Sequence, residues 1–460
     1  MTLDPINNQK KLFPTYSGSN DSLLSLINKT SQIICKWFSD AEKLGPSPID
    51  INFNCSVPDE FGSSTDVLLS EIESLIYSSF NPVHPGSLAH LDPPPLIISI
   101  LGDLIAAGLN NNLLANELSP SISLLEESIC KWFSNKLGFN ESAGGMAASG
   151  GTLSNLNALV AARNYAGLES DQNAVFITSE DAHSSFIKCR RIMGLCKNNL
   201  IKVKTDINGC MDIIDLKNTI DKCYLEGKKI FSIVATLGTT MRGAIDPIND
   251  ISKICIERDI WFHIDGSIGG IFAITKIPIN GINHINFAKS MTINPQKILG
   301  ITKTSSILLV SDIDVLKNTF ATGLPYISSE GNVLNRGELG IQGSRPAEII
   351  KLWLGLRFLG IQGIEEVLNS SIERRKYFEN NLNTEKYELC SGPLHIISFL
   401  PKGMSKNESD AWTLNKRISL MNNNFMLSRP LFKNRYFLRA VLGNYNTREM
   451  HINALLKLLD

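Results

Sequence analysis

A lysine near the middle of the chain is the first residue whose surroundings suggest chemistry. The segment Asn294-Pro295-Gln296-Lys297 follows the apolar stretch Met291 to Ile293. A lysine that loses solvation has a lowered pKa, and its neutral amine becomes nucleophilic toward a carbonyl group. A solvated lysine after a surface turn explains this segment equally well when it is taken alone.

An acidic residue ends another apolar segment, in His263-Ile264-Asp265-Gly266-Ser267. A carboxylate is costly to bury there unless a cationic or hydrogen-bonding partner faces it. Two interpretations follow. Asp265 either caps the segment that comes next, or it points at a cationic atom of a ligand.

Two further segments carry ligand-binding residue types. Gly150-Gly151-Thr152 precedes a helical pattern, and glycines at a helix start let backbone N–H groups approach an anion such as phosphate. It is neither a Walker loop nor a G-x-G-x-x-G motif, and a tight turn is the alternative. His183, in Ala182-His183-Ser184-Ser185, is either structural or a neutral ring that stacks on a planar aromatic ligand.

The elements around these segments predict where they meet. Buried strands are predicted at Ala174 to Thr178, Phe231 to Thr236 and Ile260 to Ile264, with a crossover helix from Ile248 to Arg258. This alternation is typical of an α/β fold with a mainly parallel sheet, whose ligands bind at the carboxyl ends of the strands. A phosphate cradle, a stacking histidine, an aspartate for a ring nitrogen and a lysine for a carbonyl carbon together fit pyridoxal 5′-phosphate (PLP).

The flanking regions predict a division into three parts. Residues 1–80 are an N-terminal helical arm, 81–343 the large domain, and 344–460 a small C-terminal α+β domain. The arm does not look able to bury a core of its own, so we expect it to pack on the rest of the molecule or on a partner subunit. These parts are predicted to contain helices at Ser22 to Phe38, Asp66 to Ile76, Leu96 to Leu109 and Ser121 to Leu137, and strands at Leu394 to Phe399 and Tyr436 to Val441.

Composition excludes several classes of protein. The 460 residues are 43% hydrophobic and 19% charged, and 44 Lys and Arg against 45 Asp and Glu give a net charge of −1, which provides no basic footprint for nucleic acid or an anionic membrane. The polar first twenty residues argue against a secretory signal. Leu96 to Leu109 is too short to span a bilayer and is predicted to be a buried helix. Nine cysteines without a CxxC pair predict free thiols and no metal site.

The order of six segments resembles the group II PLP-dependent amino acid decarboxylases, which include glutamate, aromatic-L-amino-acid and 2,4-diaminobutyrate decarboxylases. The resemblance runs from about residue 80 to 450. The segments are Val83-His84-Pro85-Gly86 through Pro95, Ser149-Gly150-Gly151-Thr152-Leu153-Ser154-Asn155, Asp181-Ala182-His183-Ser184-Ser185, Ala235-Thr236-Leu237-Gly238-Thr239-Thr240, His263-Ile264-Asp265 and Asn294-Pro295-Gln296-Lys297. It implies the fold type I, aspartate aminotransferase-like architecture of PLP enzymes.

The resemblance also implies roles. Lys297 falls at the family's Schiff-base lysine, Asp265 at the partner of the pyridinium nitrogen, and His183 at the stacking histidine. Tyr326 lies at the place of a mobile-loop tyrosine that protonates the carbon left by CO₂. The phosphate contacts of the family fall on Gly151, Thr152, Thr240 and Asn294.

The substrate is predicted less sharply. Arg439 falls where glutamate decarboxylases have an arginine that binds substrate carboxylate, whereas His90 and Asp92 suit a polar or cationic side chain. We therefore expect a diamino or acidic amino acid, with another PLP-dependent reaction (aminotransferase or lyase) or an aromatic substrate as alternatives. Gln296 replaces a histidine, and Gly266-Ser267-Ile268 replaces Ala-Ala-Tyr, of the usual family pattern. A cytoplasmic homodimer is expected, with a small-molecule substrate and neither nucleic acid nor membrane as partner.

Overall fold

The computed structural model describes residues 13–48, 51, 53, 56–58, 60–323 and 334–459. Its strands are β1 Gly144–Ala148, β2 Ala174–Ser179, β3 Leu200–Val203, β4 Lys229–Thr236, β5 Trp261–Gly266, β6 Ser290–Ile293, β7 Ser306–Val310, β8 Tyr387–Ser391, β9 Ile396–Pro401, β10 Leu431–Phe432, β11 Arg435–Tyr436 and β12 Leu438–Val441.

The α-helices of the described residues alternate with these strands along the middle of the chain. They are α1 Asp21–Ser39, α2 Ala41–Leu44, α3 Thr65–Tyr77, α4 Ile97–Leu109, α5 Pro120–Lys136, α6 Gly151–Tyr165, α7 Ser185–Ile192, α8 Ile213–Leu225, α9 Ile248–Glu257, α10 Asp314–Phe320, α11 Ile349–Asn381, α12 Lys406–Asn422 and α13 Glu449–Leu459.

The central sheet has seven strands in the order β1-β7-β6-β5-β4-β2-β3. Neighbours from β6 through β3 pair in parallel, and β7 pairs antiparallel with both β6 and β1. Every residue of β2, β5 and β6 is buried, because helices cover both faces of the sheet. The predicted, mainly parallel α/β sheet is confirmed.

The crossover helix α9 shows how sequence pattern sets the packing. Its side chains Ile248, Ile251, Ile254 and Cys255 are buried and recur at helical spacing, so one stripe of the helix joins the core beside β4 and β5. Helix α5 ends at Lys136, and Gly138 just beyond it has φ of 76°, the left-handed conformation that glycine adopts readily after a helix.

A second, antiparallel sheet of order β12-β9-β8 forms a separate core with α12 and α13. The predicted strand at Tyr436 to Val441 is divided, since β11 pairs with β10 and β12 pairs with β9. Helix α11 is kinked at Gly360, where φ is 60°. Its residue Leu356 joins the large core and Phe378 the second one, so the proposed boundary at 343/344 stays a prediction.

The arm helices and α4 expose much of their apolar surface in the single chain. Trp37 is the buried residue of α1. In α4, Gly102 packs so closely on α11 that a Cβ there would lie 2.5 Å from Lys351 Cα, yet Ile97 is 75% and Leu104 45% exposed. The helix from Leu96 to Leu109 was therefore predicted correctly. The prediction that it is buried is wrong for the single chain. Among the described residues, no helix is long and apolar enough to cross a membrane.

Candidate active site

The carboxyl edge of the central sheet collects the residues predicted to do chemistry. Asp265 lies next to the last residue of β5. Asn294 follows β6, and Lys297 ends the short 3₁₀ helix after it. His183 follows β2, and Gly151 begins α6 directly after β1. Because parallel strands end at the same edge, residues as far apart in sequence as Gly151 and Lys297 are brought together.

Lys297 is largely enclosed by protein, and its amine is influenced by several charges. Burial lowers the pKa of Lys297 below its usual value, although the carboxylates of Asp265 and Asp92 act in the opposite direction. Arg439 adds to the lowering. A larger fraction of the amine is therefore neutral and nucleophilic in this site than for a lysine in water.

Asp265 is a buried carboxylate that has neutral hydrogen-bond donors. Asn155 Nδ2 donates to Oδ2 at 3.0 Å, and the backbone N–H of Ser267 donates to Oδ1 at 3.1 Å. Burial alone would raise its pKa, but Lys297, the Ser267 hydrogen bond and the nearby histidines hold the pKa below its usual value. No lysine, arginine or histidine of the described residues lies within ion-pair distance, so the carboxylate can receive a cationic group.

His183 presents an imidazole ring at the same edge. Its Nδ1 accepts a hydrogen bond from the backbone N–H of Ser185 at 3.1 Å, which in a neutral ring places the proton on Nε2. Burial lowers the pKa of His183, against the influence of Asp265. The protein therefore encloses His183 only in part, since the residue also keeps exposed surface that is available to a planar ligand.

The start of α6 allows other groups to approach its backbone closely. Gly150 has φ of 93°, and α6 begins without a side-chain cap for its first N–H groups. A Cβ on Gly151 would lie 2.6 Å from Asn294 Nδ2 and 2.7 Å from Ser267 Oγ, so glycine lets the helix start approach these two side chains without displacing them. Thr152 is exposed beside it. Helix N–H groups together with a side-chain amide suit an anion such as phosphate.

Thr240 and Arg439 meet at another wall of this edge. Arg439 Nη1 donates to the carbonyl of Thr240 at 2.8 Å, Nη2 to the carbonyl of Ala89 at 3.0 Å, and Nε to Ser428 Oγ at 2.9 Å. All three acceptors are neutral. The guanidinium thus joins the second sheet to the central one and retains an unneutralised positive charge.

His90 lies close enough to Arg439 and Asp92 for their charges to affect its pKa. Burial and then Arg439 lower the pKa of His90, while Asp92 opposes them. Asp92 forms an ion pair with Lys303, so its negative charge is already balanced. Gln296, the residue beside Lys297, accepts a hydrogen bond from the backbone N–H of Ser305 at 2.5 Å and has a local structural role.

Sequence reasoning missed part of this site. Asn155, His263 and Ser267 were quoted within motifs but given no role, although two of them contact Asp265 directly. Asn155 is separated from Asp265 by 110 positions. The signal in the sequence that could have identified it is that Asn155 is a polar residue among the apolar residues on the buried side of its helix. Tyr326 lies outside the described residues. Among those residues, no group of three or more His, Cys, Asp or Glu is placed to hold a metal ion.

The similarity of this chain to known proteins agrees with that geometry. Residues 50–399 match the model of the pyridoxal-dependent decarboxylase conserved domain. The chain belongs to this decarboxylase family. An aromatic-L-amino-acid decarboxylase of Bacillus atrophaeus is 30% identical over 352 residues, which cover 75% of this chain and 73% of that protein. An acidic amino acid decarboxylase of Xenopus tropicalis is 29% identical over 404 residues, covering 85% and 78% respectively.

The fold of the decarboxylase is confirmed by a solved structure. Mouse CSAD has a TM-score of 0.88 to this chain at 23% identity, with 96% of this chain and 98% of that chain covered. The predictions of a fold type I α/β architecture, of PLP as cofactor and of an amino acid carboxy-lyase are confirmed at this level. The two relatives named above differ in substrate, so the family alone leaves the substrate class open.

The described residues of the decarboxylase fit PLP. Asp265 supplies a buried carboxylate without a cationic partner, the uncapped start of α6 supplies N–H groups, and Lys297 supplies an amine whose pKa is lowered. When bound, the cofactor supplies an electron sink for the bonds at the substrate's α-carbon. The complementarity of three separate groups to three parts of one ligand is stronger evidence of fit than any one of them.

Proposed function

We propose that Lys297 carries the aldehyde of PLP as a Schiff base and that Asp265 holds the proton on its ring nitrogen. The observation that supports this most is the environment of Asp265, a buried carboxylate whose pKa is held low beside the Lys297 amine. An ionised carboxylate stabilises a protonated ring nitrogen, and that charge makes the ring a better electron acceptor.

The remaining cofactor contacts are proposed from position. The backbone N–H groups of Gly151 and Thr152, the amide of Asn294 and the Thr240 segment bind the phosphate, and the exposed face of His183 lies over the ring. Support comes from the uncapped helix start and from the close approach of Gly151 to Asn294. Tyr326 is proposed to donate its phenolic proton to the α-carbon after CO₂ leaves; it lies outside the described residues.

The proposed substrate is a polar amino acid, and an acidic one is favoured over a diamino acid. Arg439 contacts neutral oxygens and keeps its charge, so it attracts a carboxylate. Asp92 is already paired with Lys303, which weakens its attraction for the second ammonium group of a diamino acid. The exposed His90 adds a polar group to the same wall.

CO₂ release from a panel of acidic, diamino and aromatic amino acids, with added PLP, tests this substrate. Acidic amino acids should have the highest kcat/KM, and Arg439→Gln should lower that value by roughly 10- to 100-fold, since a charge-assisted hydrogen bond contributes about 1.5–3 kcal/mol. Arg435→Gln is the matched control: this arginine of β11 is paired with Glu388 and should be replaceable without that loss. Fastest turnover of aromatic amino acids would contradict the proposal.

We further propose that the enzyme is a homodimer. Exposed apolar side chains are concentrated on the arm helices and α4, including Leu24 at 57%, Val67 at 48% and Leu104 at 45% exposure. Many exposed apolar side chains on neighbouring segments of the chain favour an interaction surface that a partner covers. A second copy of the chain is the simplest occupant, because the arm helices bury few of their own residues.

Light scattering of the purified enzyme should give twice the mass of one chain. Leu104→Asp should shift the protein toward monomer, whereas Leu225→Asp, which changes an 89% exposed leucine at the end of α8, should not. A fully active monomer would overturn the proposal.

A cytoplasmic location is proposed as well, supported by the chemistry of the thiols. Every cysteine in the described part of the chain is free, including Cys35 and Cys196, which are exposed. Free exposed thiols are typical of reducing compartments. Fractionation of cells that express the protein should recover it with cytoplasmic markers, and recovery with secreted or membrane fractions would contradict this.

A further inference from the structure

A row of buried polar side chains lies behind Asp265. Trp261, His263 and Asp265 alternate along β5 and therefore point to the same face of the sheet. Ser290 of β6 is the register partner of His263, and Asn155 comes from α6, which packs on β5. All five residues are buried.

These side chains form a continuous series of hydrogen bonds. Trp261 Nε1 lies 2.8 Å from Ser290 Oγ, and the same oxygen lies 2.8 Å from His263 Nδ1. His263 Nε2 lies 3.1 Å from Asn155 Oδ1, and Asn155 Nδ2 lies 3.0 Å from Asp265 Oδ2. The series links Trp261, at the start of β5, to the carboxylate of Asp265 near the end of the strand.

The two ends of the series fix its direction. The indole N–H of Trp261 can only donate, and an ionised Asp265 can only accept. Asp265 accepts from the amide Nδ2 of Asn155, so Asn155 Oδ1 faces His263 and accepts from its Nε2–H. Nδ1 of the neutral ring then accepts the hydroxyl proton of Ser290, whose oxygen accepts from Trp261. Each proton donated along the series has one acceptor, and the second proton of Asn155 Nδ2 is directed to Ser185 Oγ at 3.4 Å.

The opposite direction is costly. Protonation of Asp265 on Oδ2 would require the Asn155 amide to turn over and His263 to move its proton to Nδ1, toward the oxygens of Ser290. The Ser290 hydroxyl proton would then have no acceptor among the partners that the structure describes for it. An unsatisfied buried polar group of this kind destabilises the folded protein.

We propose that Trp261, Ser290, His263 and Asn155 form a one-way hydrogen-bond relay that holds His263 as the neutral Nε2–H tautomer and keeps Asp265 ionised. Asn155 and His263 are thus positioning residues that act on the cofactor through Asp265. The effect on the cofactor rests on the proposed function of Asp265, whereas the tautomer of His263 is a property of the protein alone.

Histidine-selective ¹⁵N NMR of the full-length protein, with and without PLP, tests the relay. The signal that is lost in His263→Gln identifies the ring, and we expect a proton on Nε2 and none on Nδ1. Ser290→Ala should abolish this single state and give a mixture of tautomers. Ser232→Ala is the matched control, because Ser232 is buried on the neighbouring strand β4, opposite Trp261, and has no side-chain hydrogen-bond partner within the described ranges. A proton on Nδ1 in the unsubstituted protein, or no change in Ser290→Ala, overturns the relay.

The action on the cofactor is measured separately. Relative to Ser232→Ala, Ser290→Ala should weaken PLP binding by about tenfold, by analogy with the loss seen when a hydrogen-bond partner of a metal-binding side chain is removed. The cofactor's absorbance should also shift at a different pH from that of the control. Equal affinity and an equal pH profile in both variants would overturn the claim that the relay acts through Asp265. Failure of the unsubstituted protein to bind PLP would instead refute the proposed function, and the NMR result would still decide the relay.

Discussion

Opposing influences on the Lys297 amine shape the chemistry at the residue scale. Burial lowers its pKa, while Asp265 and Asp92 raise it. The result is an amine that can lose its proton and attack a carbonyl, yet remains near carboxylates that stabilise the protonated form. Such a balance suits the role proposed for Lys297, in which the amine binds the cofactor and is later released from it.

Substitution of this amine gives the sharpest test at that scale. Lys297→Ala should abolish the absorbance of lysine-linked PLP and lower kcat by about a thousandfold or more, the scale of loss seen when a nucleophile is removed. Lys289→Ala, at an exposed residue just before β6, is the control and should retain both. An unchanged cofactor spectrum in Lys297→Ala would show that another residue binds PLP.

At the scale of elements, the contact between α6 and the loops after β5 and β6 shapes the proposed cofactor site. Gly151 allows the first turn of α6 to lie against Asn294 and Ser267, each closer than 3 Å to a hypothetical Cβ. The helix start, with its positive end of the dipole, is thereby held where β5 and β6 end.

A methyl group at this contact should separate the elements. Gly151→Ala is expected to weaken PLP binding at least tenfold and to destabilise the protein by about 1–3 kcal/mol through overpacking. Gly363→Ala is the matched control, because in α11 the added Cβ would make ordinary contacts with Leu359 at 3.4 and 3.5 Å. Titration of PLP and urea unfolding measure the two effects. Equal PLP affinity in both variants would contradict the role assigned to the helix start.

The elements themselves were largely predictable from the sequence. The helix predicted from Ile248 to Arg258 is observed at Ile248–Glu257, and the strand predicted from Phe231 to Thr236 is observed at Lys229–Thr236. Local periodicity reports such segments directly. The pairing of Asn155 with Asp265 was not predictable, because it depends on how α6 packs on β5. The exposure of α4 was missed because hydrophobicity indicates that a surface is covered, but not whether the same chain covers it.

At the scale of the whole molecule, buried histidines couple folding to pH. Burial lowers the pKa of His84 and His263 to about 4 and that of His395 to about 3. As the pH falls below the usual value of 6.5, the unfolded chain takes up protons that the folded protein does not. The stability that these neutral histidines contribute is therefore fully present above pH 6.5, and it is lost as the pH falls toward their lowered pKa values.

His395 allows this coupling to be isolated. Its ring stacks on Phe272 with centroids 6.1 Å apart, and neither ring nitrogen has a hydrogen-bond partner within the part of the chain that the structure describes. Phenylalanine preserves the shape and the stacking but cannot be protonated. Any packing cost of His395→Phe applies equally at all pH values, so a comparison of two pH values cancels it.

Urea unfolding at pH 7 and pH 5, with saturating PLP for both proteins, measures the contribution. Between these values the unsubstituted protein should lose about 2 kcal/mol more stability than His395→Phe, since each pH unit below 6.5 contributes about 1.4 kcal/mol for one histidine that is neutral only when folded. Equal losses in the two proteins would show that His395 is protonated in the folded state. The acid sensitivity of the fold would then arise from the other titratable groups, among them His84 and His263.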